Sequence, residues 1–295
     1  MQIANIKNAS PEQLRELQLT ELEILKKLKK ILNEHNLTFF IIGGTLIGAI
    51  RNKGFVPWDD DVDVLMFRED FEKLYQHPEW LEGTNLVIQR SNAEINQHLT
   101  GMNLKDITTT FINKHSVREN IIHSIGIDIL PLDYRPVGKF KRYLQIFYAS
   151  IFSLYNADRL PDHQGVLLRT IAKLPLNLVK SRKKKYKIWK WAQRKMVNLG
   201  DKNSGEVVEL GVGYKALFRY NSLNWFKSTI NKKFEDVTMP VPIGYDNYLR
   251  AVVGDYMQFP PKSSRKPKHN TYLVDTETPY SKKMRKQFIE NENED

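Results

Sequence analysis

The chain has 295 residues, which is enough for one large domain or for a domain with a sizeable insertion. It contains no cysteine, which excludes disulfide bonds and thiolate metal sites. The formal charge is +11, and the segment 163–200 alone carries eleven Lys and Arg without any Asp or Glu. Because the rest of the chain is therefore close to neutral, the positive charge is local and indicates a surface for an anionic partner.

Helical and strand-like segments alternate along the first half of the chain and predict an α/β or α+β fold. A helix is expected over 11–35, because Ser10 can cap it and leucines follow at helical spacing. Strands rich in β-branched and aromatic residues are expected at 37–42, 62–67, 86–90, 109–113 and 125–133. The last of these should stop at Pro131, because proline cannot donate a hydrogen bond to a neighbouring strand.

Composition divides the chain into four predicted parts. Residues 1–138 are expected to form a catalytic core, and 139–200 a helical, basic lobe. Residues 201–280 should complete the core and include one short helix within 239–261. The charged segment 281–295 is expected to be a flexible tail. The longest apolar run, 143–155, is too short to cross a bilayer.

The segment 59–63 contains four aspartates: Asp59, Asp60, Asp61 and Asp63. Crowded carboxylates repel one another, and burial raises that cost, so a cation is expected among them. On a strand, Asp61 and Asp63 would share one face while Val62 points into the core. This spacing suits a divalent cation that prefers oxygen ligands, such as Mg²⁺. The alternative interpretation is a charged turn at the start of a strand.

Three stretches carry a family resemblance. The stretch 43–74, GGTLIGAIRNKGFVPWDDDVDVLMFREDFEKL, resembles the signature of the LicD family of the nucleotidyltransferase-fold superfamily. The stretch 126–133, GIDILPLD, resembles the strand that carries the third carboxylate of that family. The stretch 241–269 resembles its carboxyl-terminal motif, in which Val253 here replaces a tyrosine. The resemblance implies a mixed sheet core with flanking helices.

The resemblance also implies an activity and a site. Family members transfer phosphocholine or a related phospho-alditol from a CDP-linked donor to a sugar hydroxyl of an envelope glycan. Asp61, Asp63 and Asp128 are then the predicted catalytic residues and the ligands of Mg²⁺ or Mn²⁺. Asp128 could also accept the proton of the acceptor hydroxyl. The predicted substrate-binding residues are Gly43, Gly44, Thr45, Arg51, Lys105, Arg265 and His269. Trp58 is interpreted as a packing residue rather than as part of a choline box.

The basic run 180–195 has three interpretations: a solvated helix face, a nucleic-acid surface, or a helix at an anionic membrane. Trp189 and Trp191 among the lysines favour the membrane. The chain is therefore predicted to be a peripheral protein at the inner face of the plasma membrane. Two alternatives to the whole interpretation are a nucleotidyltransferase that consumes NTP and a nucleic-acid-binding protein with structural carboxylates.

Overall fold

The structure is a computed structural model that describes residues 1–158 and 178–291. Its strands are β1 (Gln2–Ile3), β2 (Phe40–Ile41), β3 (Asp63–Phe67), β4 (Leu86–Gln89), β5 (Met102–Asp106), β6 (Thr110–Asn113), β7 (Gly126–Tyr134), β8 (Glu206–Val208), β9 (Asn221–Ser222), β10 (Thr229–Phe234), β11 (Val237–Pro242) and β12 (Thr271–Asp275). Its helices are α1 (Pro11–Glu34), α2 (Gly43–Ile47), α3 (Arg68–Gln76), α4 (Lys139–Ala157), α5 (Arg182–Asn198), α6 (Tyr214–Phe218), α7 (Tyr245–Val253) and α8 (Lys282–Asn291).

These residues form two compact units. The first contains 1–89, 103–129 and the described residues from 225 onward. The second contains 90–102 and the described residues between 130 and 224. The helical part of the chain was predicted as a lobe over 139–200, but its unit also includes 90–102 and 201–224, because short strands and loops from those segments pack with it. Residues 159–177 of the predicted lobe lie outside the described residues.

Helix α1 confirms the predicted amino-terminal helix. Ser10 accepts a hydrogen bond from the backbone N–H of Gln13, and the Gln13 side chain accepts one from the Ser10 backbone. This reciprocal pair satisfies two N–H groups that a helix start leaves without partners. Leucines such as Leu17 and Leu25, both 0% exposed, bury one face of the helix in the core of the first unit.

A mixed α/β core contains the predicted strands: four of them lie in a sheet of order β2-β3-β7-β5-β4, and β6 pairs with β12 in a separate sheet. Strands β2 and β3 are antiparallel, as are β4 and β5. Strand β5 was not predicted from the sequence. The prediction that the last strand stops at Pro131 is wrong, because β7 continues to Tyr134. The ladder resumes after the proline, where Asp133 and Tyr134 pair with Val208 and Val207 of β8.

In the second unit, α4 and α5 pack as an antiparallel pair. The Gln145 side chain donates to the Met196 carbonyl at 3.1 Å, and Lys185 pairs with Asp158 at the other end. Trp189 is 5% exposed and meets Phe152 edge to face at 5.5 Å, so it belongs to the core. The prediction that Trp189 lies on a membrane-facing surface is therefore wrong.

The carboxyl-terminal segment differs from its prediction too. Residues 282–291, expected to be a flexible tail, form α8, whose Phe288 stacks on Tyr272 at 5.1 Å. Arg285 on the same helix donates to the Glu119 carbonyl at 2.5 Å. These contacts hold the helix on the first unit. Among residues 1–158 and 178–291, none of the helices combines the length and apolar character that crossing a bilayer requires.

Candidate active site

The aspartate segment leads into β3 beside β7. The backbone N–H of Asp128 donates to the carbonyl of Val62 at 2.9 Å, which brings Asp128 next to the segment. Val62 is 1% exposed, as its predicted place in the core requires. Strand β3 begins at Asp63, so Asp61 lies just before the strand rather than within it. The first unit thus assembles Asp61, Asp63 and Asp128 from two parts of the chain.

The paired glycines form the first turn of α2 and lie against the aspartates. A Cβ atom at Gly43 would stand 2.7 Å from Oδ2 of Asp63, and one at Gly44 would stand 2.0 Å from Oδ2 of Asp59. Gly43 also has a φ of +58°, which side chains rarely adopt. The hydroxyl of the buried Thr45 accepts a hydrogen bond from the Asp63 backbone at 3.1 Å. These three residues therefore position the carboxylates.

A chain segment from the carboxyl-terminal part holds Asp60. Its Oδ1 accepts from the backbone N–H of Lys268 at 3.0 Å, and its Oδ2 accepts from the backbone N–H of His269 at 2.9 Å. The His269 Nδ1 lies 3.2 Å from the same Oδ2. Burial raises the pKa of Asp60, but the hydrogen bond and charge of His269 outweigh burial and lower it overall. Burial lowers the pKa of His269, yet the hydrogen bond and charge of Asp60 raise it to about 9. The two residues form an ion pair.

The carboxyl groups of Asp59, Asp63 and Asp128 resist ionisation. Burial and then the charge of Asp61 raise the pKa of Asp59 to about 7. Burial and the charges of Asp61 and Asp128 raise the pKa of Asp63 well above its usual value. Burial also raises the pKa of Asp128, against an opposing hydrogen bond from Asn103. Because like charges crowd a buried site, an added cation would stabilise the ionised forms.

Among the described residues, Asp60, Asp61 and His269 offer metal-ligating atoms that all lie within 4.8 Å of one another. The sequence instead predicts Asp61, Asp63 and Asp128 as ligands. The two sets share Asp61, which therefore belongs to either arrangement. The metal role of Asp63 and Asp128 stays a prediction.

Strand β5 contributes two polar side chains beside β7. The amide nitrogen of Asn103 donates to Oδ1 of Asp128, which fixes the orientation of that carboxyl group. Lys105 is 7% exposed, and its Nζ donates to the Ile122 carbonyl. Burial lowers the pKa of Lys105 to about 8, against the opposing charge of Asp128. Lys105 is thus tied to the backbone, although the sequence predicts a substrate contact for it.

Arg51 projects from the segment after α2 onto the carboxyl-terminal motif. Its Nη1 donates to the carbonyls of Tyr256 and Gln258 at 3.1 and 3.2 Å. The guanidinium carbon lies 4.3 Å from the centre of the Phe259 ring. Burial and then the charge of Arg265 lower the pKa of Arg51. Two like charges are therefore held close together at this place.

The guanidinium group of Arg265 also lies over the ring of Phe259. Its guanidinium carbon is 5.2 Å from the centre of Phe259 and 5.5 Å from the centre of Trp58, and its Nε donates to the Pro260 carbonyl at 2.8 Å. Guanidinium groups thus lie over the rings of Phe259 and Trp58. The arrangement favours an anion between Arg51 and Arg265.

Comparison with known proteins places this site in a family. Residues 36–137 match the family model described as LicD/FKTN/FKRP, nucleotidyltransferase domain. The chain is 28% identical over 263 residues to the lipopolysaccharide cholinephosphotransferase LicD of Haemophilus influenzae, covering 87% of this chain and 96% of that protein. These matches confirm the predicted resemblance to the LicD family.

Shorter matches fall on uncharacterized proteins. An uncharacterized protein of Rickettsia prowazekii is 37% identical over 54 residues, which cover 18% of this chain and 20% of that protein. An uncharacterized protein of Caenorhabditis elegans is 42% identical over 71 residues, which cover 24% of this chain and 17% of that protein. These two similarities are local.

The LicD domain match includes most of the predicted site residues but not all of them. Arg265 and His269 lie beyond residue 137, where that match ends. The fold brings both residues to the site. His269 pairs with Asp60, and the guanidinium groups of Arg265 and Arg51 both lie over the ring of Phe259. The predicted carboxyl-terminal motif is therefore part of the site and not a separate element.

Two residues of α1 were missed from the sequence. The Gln18 side chain donates to the carbonyls of Val56 and Asp59 at 3.2 and 2.9 Å and so holds the loop before the aspartates. Glu21 is 2% exposed, and its Oε2 has no hydrogen-bond partner in the described structure. Burial and then the charge of Asp61 raise the pKa of Glu21 well above its usual value. The signal was present, because both residues interrupt the leucine face of a predicted helix.

Proposed function

We propose that this chain is a metal-dependent phosphotransferase of the LicD family. It moves phosphocholine or a related phospho-alditol from a CDP-linked donor to a sugar hydroxyl of a cell-envelope glycan, such as a teichoic acid, capsule or glycolipid precursor. The similarity along 96% of a protein named as a lipopolysaccharide cholinephosphotransferase supports the reaction class. The name of that relative gives phosphocholine and a lipopolysaccharide, and the other transferred groups and acceptors follow from the family resemblance.

One observation carries the proposal. Asp59, Asp61, Asp63 and Asp128 converge at one place in the first unit, and burial with mutual repulsion raises the pKa of three of them. A structural cluster would be expected to neutralise such groups with fixed cations, whereas the charge of Lys268 lowers the pKa of Asp59 and Asp63 without offsetting burial and repulsion. In a phosphotransferase site, the excess negative charge of such carboxylates binds the metal cation that the reaction uses.

The donor atoms fit a hard divalent cation. Carboxylate oxygens are the preferred ligands of Mg²⁺ and Mn²⁺, and the buried Glu21, whose Oε2 has no hydrogen-bond partner in the described structure, lies close enough to feel the charges of the same aspartates. Asp61, Asp63 and Asp128 would hold the ion. When bound, the ion supplies positive charge against the donor diphosphate and the departing CMP. His269 remains with Asp60, whose carboxylate accepts from the backbone N–H groups of Lys268 and His269 and lies 3.2 Å from the ring nitrogen Nδ1 of His269.

Asp128 is proposed to accept the proton of the acceptor hydroxyl. The hydroxyl oxygen forms a bond to the transferred phosphorus while the bond from that phosphorus to the CMP oxygen breaks. The hydroxyl proton goes to Asp128, and CMP leaves with the bonding electron pair. Asn103 donates to Oδ1 of Asp128, which leaves Oδ2 of Asp128 to accept the proton of the acceptor hydroxyl.

Arg51 and Arg265 are proposed to bind the donor diphosphate. Both guanidinium groups are anchored by backbone carbonyls and stacked on Phe259, so their orientation is fixed before the donor arrives. Their mutual repulsion, which contributes to the lowered pKa of Arg51, would be relieved by an anion between them.

Mass spectrometry of products tests the reaction. The purified chain is incubated with Mg²⁺, a sugar acceptor and CDP-choline, CDP-glycerol, CDP-ribitol or an NTP. We expect CMP and a phosphodiester-linked acceptor from one or more CDP donors, and no diphosphate release from NTP. Asp61→Asn should abolish the product, whereas Asp236→Asn, at a surface aspartate whose side chain is 67% exposed, should not. Diphosphate release from NTP would instead favour a nucleotidyltransferase.

The proposed location is peripheral, at the inner face of the plasma membrane. The chain carries its excess positive charge in one region, and a lipid-linked acceptor would be presented at that surface. Fractionation of cells that express the chain would test the location, and recovery in the membrane fraction that is released by salt is expected.

A further inference from the structure

Helix α4 carries apolar side chains on two opposite faces. One face packs in the core of the second unit through Ala149 and Phe152, which are 0% and 2% exposed. The opposite face presents Phe140, Tyr143 and Phe147, which are 80%, 66% and 57% exposed. Spacings of three and four residues place these rings along one stripe of the helix. Contiguous exposed aromatic rings of this kind mark an interaction surface.

Helix α5 adds positive charge beside the stripe. Lys184, Lys187, Trp191 and Arg194 are exposed, and their helical spacing places them on one face. Neither α4 nor α5 contains an Asp or Glu. The neighbouring carboxylates of Glu206 and Asp158 pair with Arg142 and Lys185, which lie outside this face, so the face keeps an excess of positive charge that attracts anions.

The two faces are joined by aromatic contacts. The rings of Phe147 and Tyr148 lie 5.6 Å apart, and Tyr148 meets Trp191 edge to face at 5.3 Å. Trp191 is 39% exposed, so the contact leaves part of its ring at the surface. Aromatic and basic side chains are thus continuous from one helix to the other.

We propose that this surface docks the chain on an anionic lipid bilayer. The aromatic–basic face consists of Phe140, Tyr143, Phe147, Lys184, Lys187, Trp191 and Arg194. Aromatic rings insert at the boundary between headgroups and acyl chains, and the basic side chains pair with anionic headgroups. The inference rests on the proposed membrane location and is independent of the catalytic carboxylates.

The arrangement favours a bilayer over a nucleic acid. Single strands bind where aromatic rings line a basic groove, so that bases stack while phosphates are neutralised. Here the three aromatic rings of α4 form a stripe along one helix, and the basic residues lie on its neighbour. An apolar stripe beside a basic flank is typical of interfacial helices.

Vesicle flotation with the full chain tests the proposal. Vesicles of phosphatidylcholine alone are compared with vesicles that also contain phosphatidylglycerol, at low and at high salt. We expect the wild type to float with the anionic vesicles and to be released by salt. The aromatic variant Phe140→Ser, Tyr143→Ser, Phe147→Ser and the basic variant Lys184→Gln, Lys187→Gln, Arg194→Gln should each reduce the partition coefficient about tenfold or more.

Matched controls keep the result specific. Tyr214→Ser with Phe218→Ser removes rings of the same unit that are 48% and 52% exposed, and Lys282→Gln, Lys283→Gln, Lys286→Gln removes three exposed lysines of α8. Both controls should float as the wild type does. Donor hydrolysis in solution should be unchanged in all four variants, which separates loss of docking from loss of the site.

Three results would overturn the proposal. One is a wild type that stays with the soluble fraction for both vesicle compositions. Another is a failure of the variants to differ as expected, in which the aromatic variant floats as well as the wild type or the controls lose as much vesicle binding as the test variants. The last is tighter binding of wild type to polyuridine than to vesicles, lost in the same variants, which would assign the face to nucleic acid.

Discussion

Asp60 and His269 stand 209 positions apart in the sequence and are paired at 3.2 Å in the fold. None of the Asp60 side chain is exposed, whereas 36% of the His269 side chain is. The pair joins the aspartate segment to the carboxyl-terminal motif, so the two parts of the site are held together by one ion pair and two backbone hydrogen bonds.

The pair predicts that stability falls at alkaline pH. The pKa of His269 is raised from its usual 6.5 to about 9. Its stabilising contribution is therefore complete below about pH 6.5 and is lost as the pH rises through about 9. Because the imidazole is partly exposed, screening reduces that contribution to about 1 kcal/mol. Urea unfolding of the metal-free chain at about pH 6 and about pH 10 measures the loss.

The variant His269→Gln should remove most of this pH dependence, because its side chain carries no charge to lose. His115→Gln, at an exposed loop histidine, is the matched control, and its unfolding free energy should depend on pH as that of the wild type does. If the unfolding free energies of the wild type and of His269→Gln changed equally with pH, the ion pair would not contribute to stability.

Asp63→Asn is expected to separate folding from activity. The substitution removes one buried negative charge from a site where burial and the charges of Asp61 and Asp128 raise the pKa of Asp63. The metal-free variant should therefore melt at the same temperature as the wild type or higher, while transfer falls by about 10³-fold or more. Thermal melts with chelator and with excess Mg²⁺ provide the measurement.

Excess Mg²⁺ should raise the melting temperature of the wild type and of the surface control Asp236→Asn, but not of Asp63→Asn. An Asp63→Asn variant that transfers at the wild-type rate would show that this carboxylate is not part of the catalytic site. A variant that fails to fold would show that its role is structural.

Glu21→Gln is expected to stabilise the metal-free chain, and this stabilisation should grow as the pH rises. Burial, followed by the charges of Asp61 and Asp60, raises the pKa of Glu21 well above 4.5. A carboxyl group with a raised pKa stabilises the folded state at low pH and loses that contribution as the pH rises through the folded value. The amide cannot ionise, so the variant should gain about 1 kcal/mol or more over the wild type at neutral pH.

Urea unfolding of both proteins between about pH 5 and about pH 8 checks the Glu21 prediction. The difference in unfolding free energy should grow with pH. A variant that is less stable than the wild type at every pH would mean that Glu21 is held ionised by a cation in the folded chain. Glu82→Gln, at an exposed position, is the control and should give no pH-dependent difference.

Arg51→Lys is expected to weaken donor binding although it keeps the charge. Lysine cannot stack as a plane on Phe259 and cannot reach the Tyr256 and Gln258 carbonyls while also facing a diphosphate. We expect KM for the CDP-linked donor to rise about tenfold, with a smaller change in kcat. Arg250→Lys, on the exposed face of α7, should behave as the wild type. An unchanged KM in Arg51→Lys would exclude Arg51 from the donor site.

The sequence predicted the elements of the core well where local signals are strong. Ser10 and Gln13 form the capping box that their spacing indicates, and Val62 is buried beside the aspartates as its place on the strand requires. Strand β5 escaped prediction because its short run of mixed polar residues has no clear alternation, although Lys105 is buried within it. Burial of a lysine depends on a distant partner, here the Ile122 carbonyl.

By itself, the sequence determined the α/β class, the family resemblance and the aspartate segment, because these depend on spacing along a few dozen residues. Only the tertiary structure decided that Glu21 and Gln18 face that segment and that His269 pairs with Asp60. It also decided that Trp189 is buried while Phe140 is exposed. Helical periodicity shows that a side chain shares a face with its neighbours. Which face meets the core depends on how distant segments pack, and local sequence does not encode that contact.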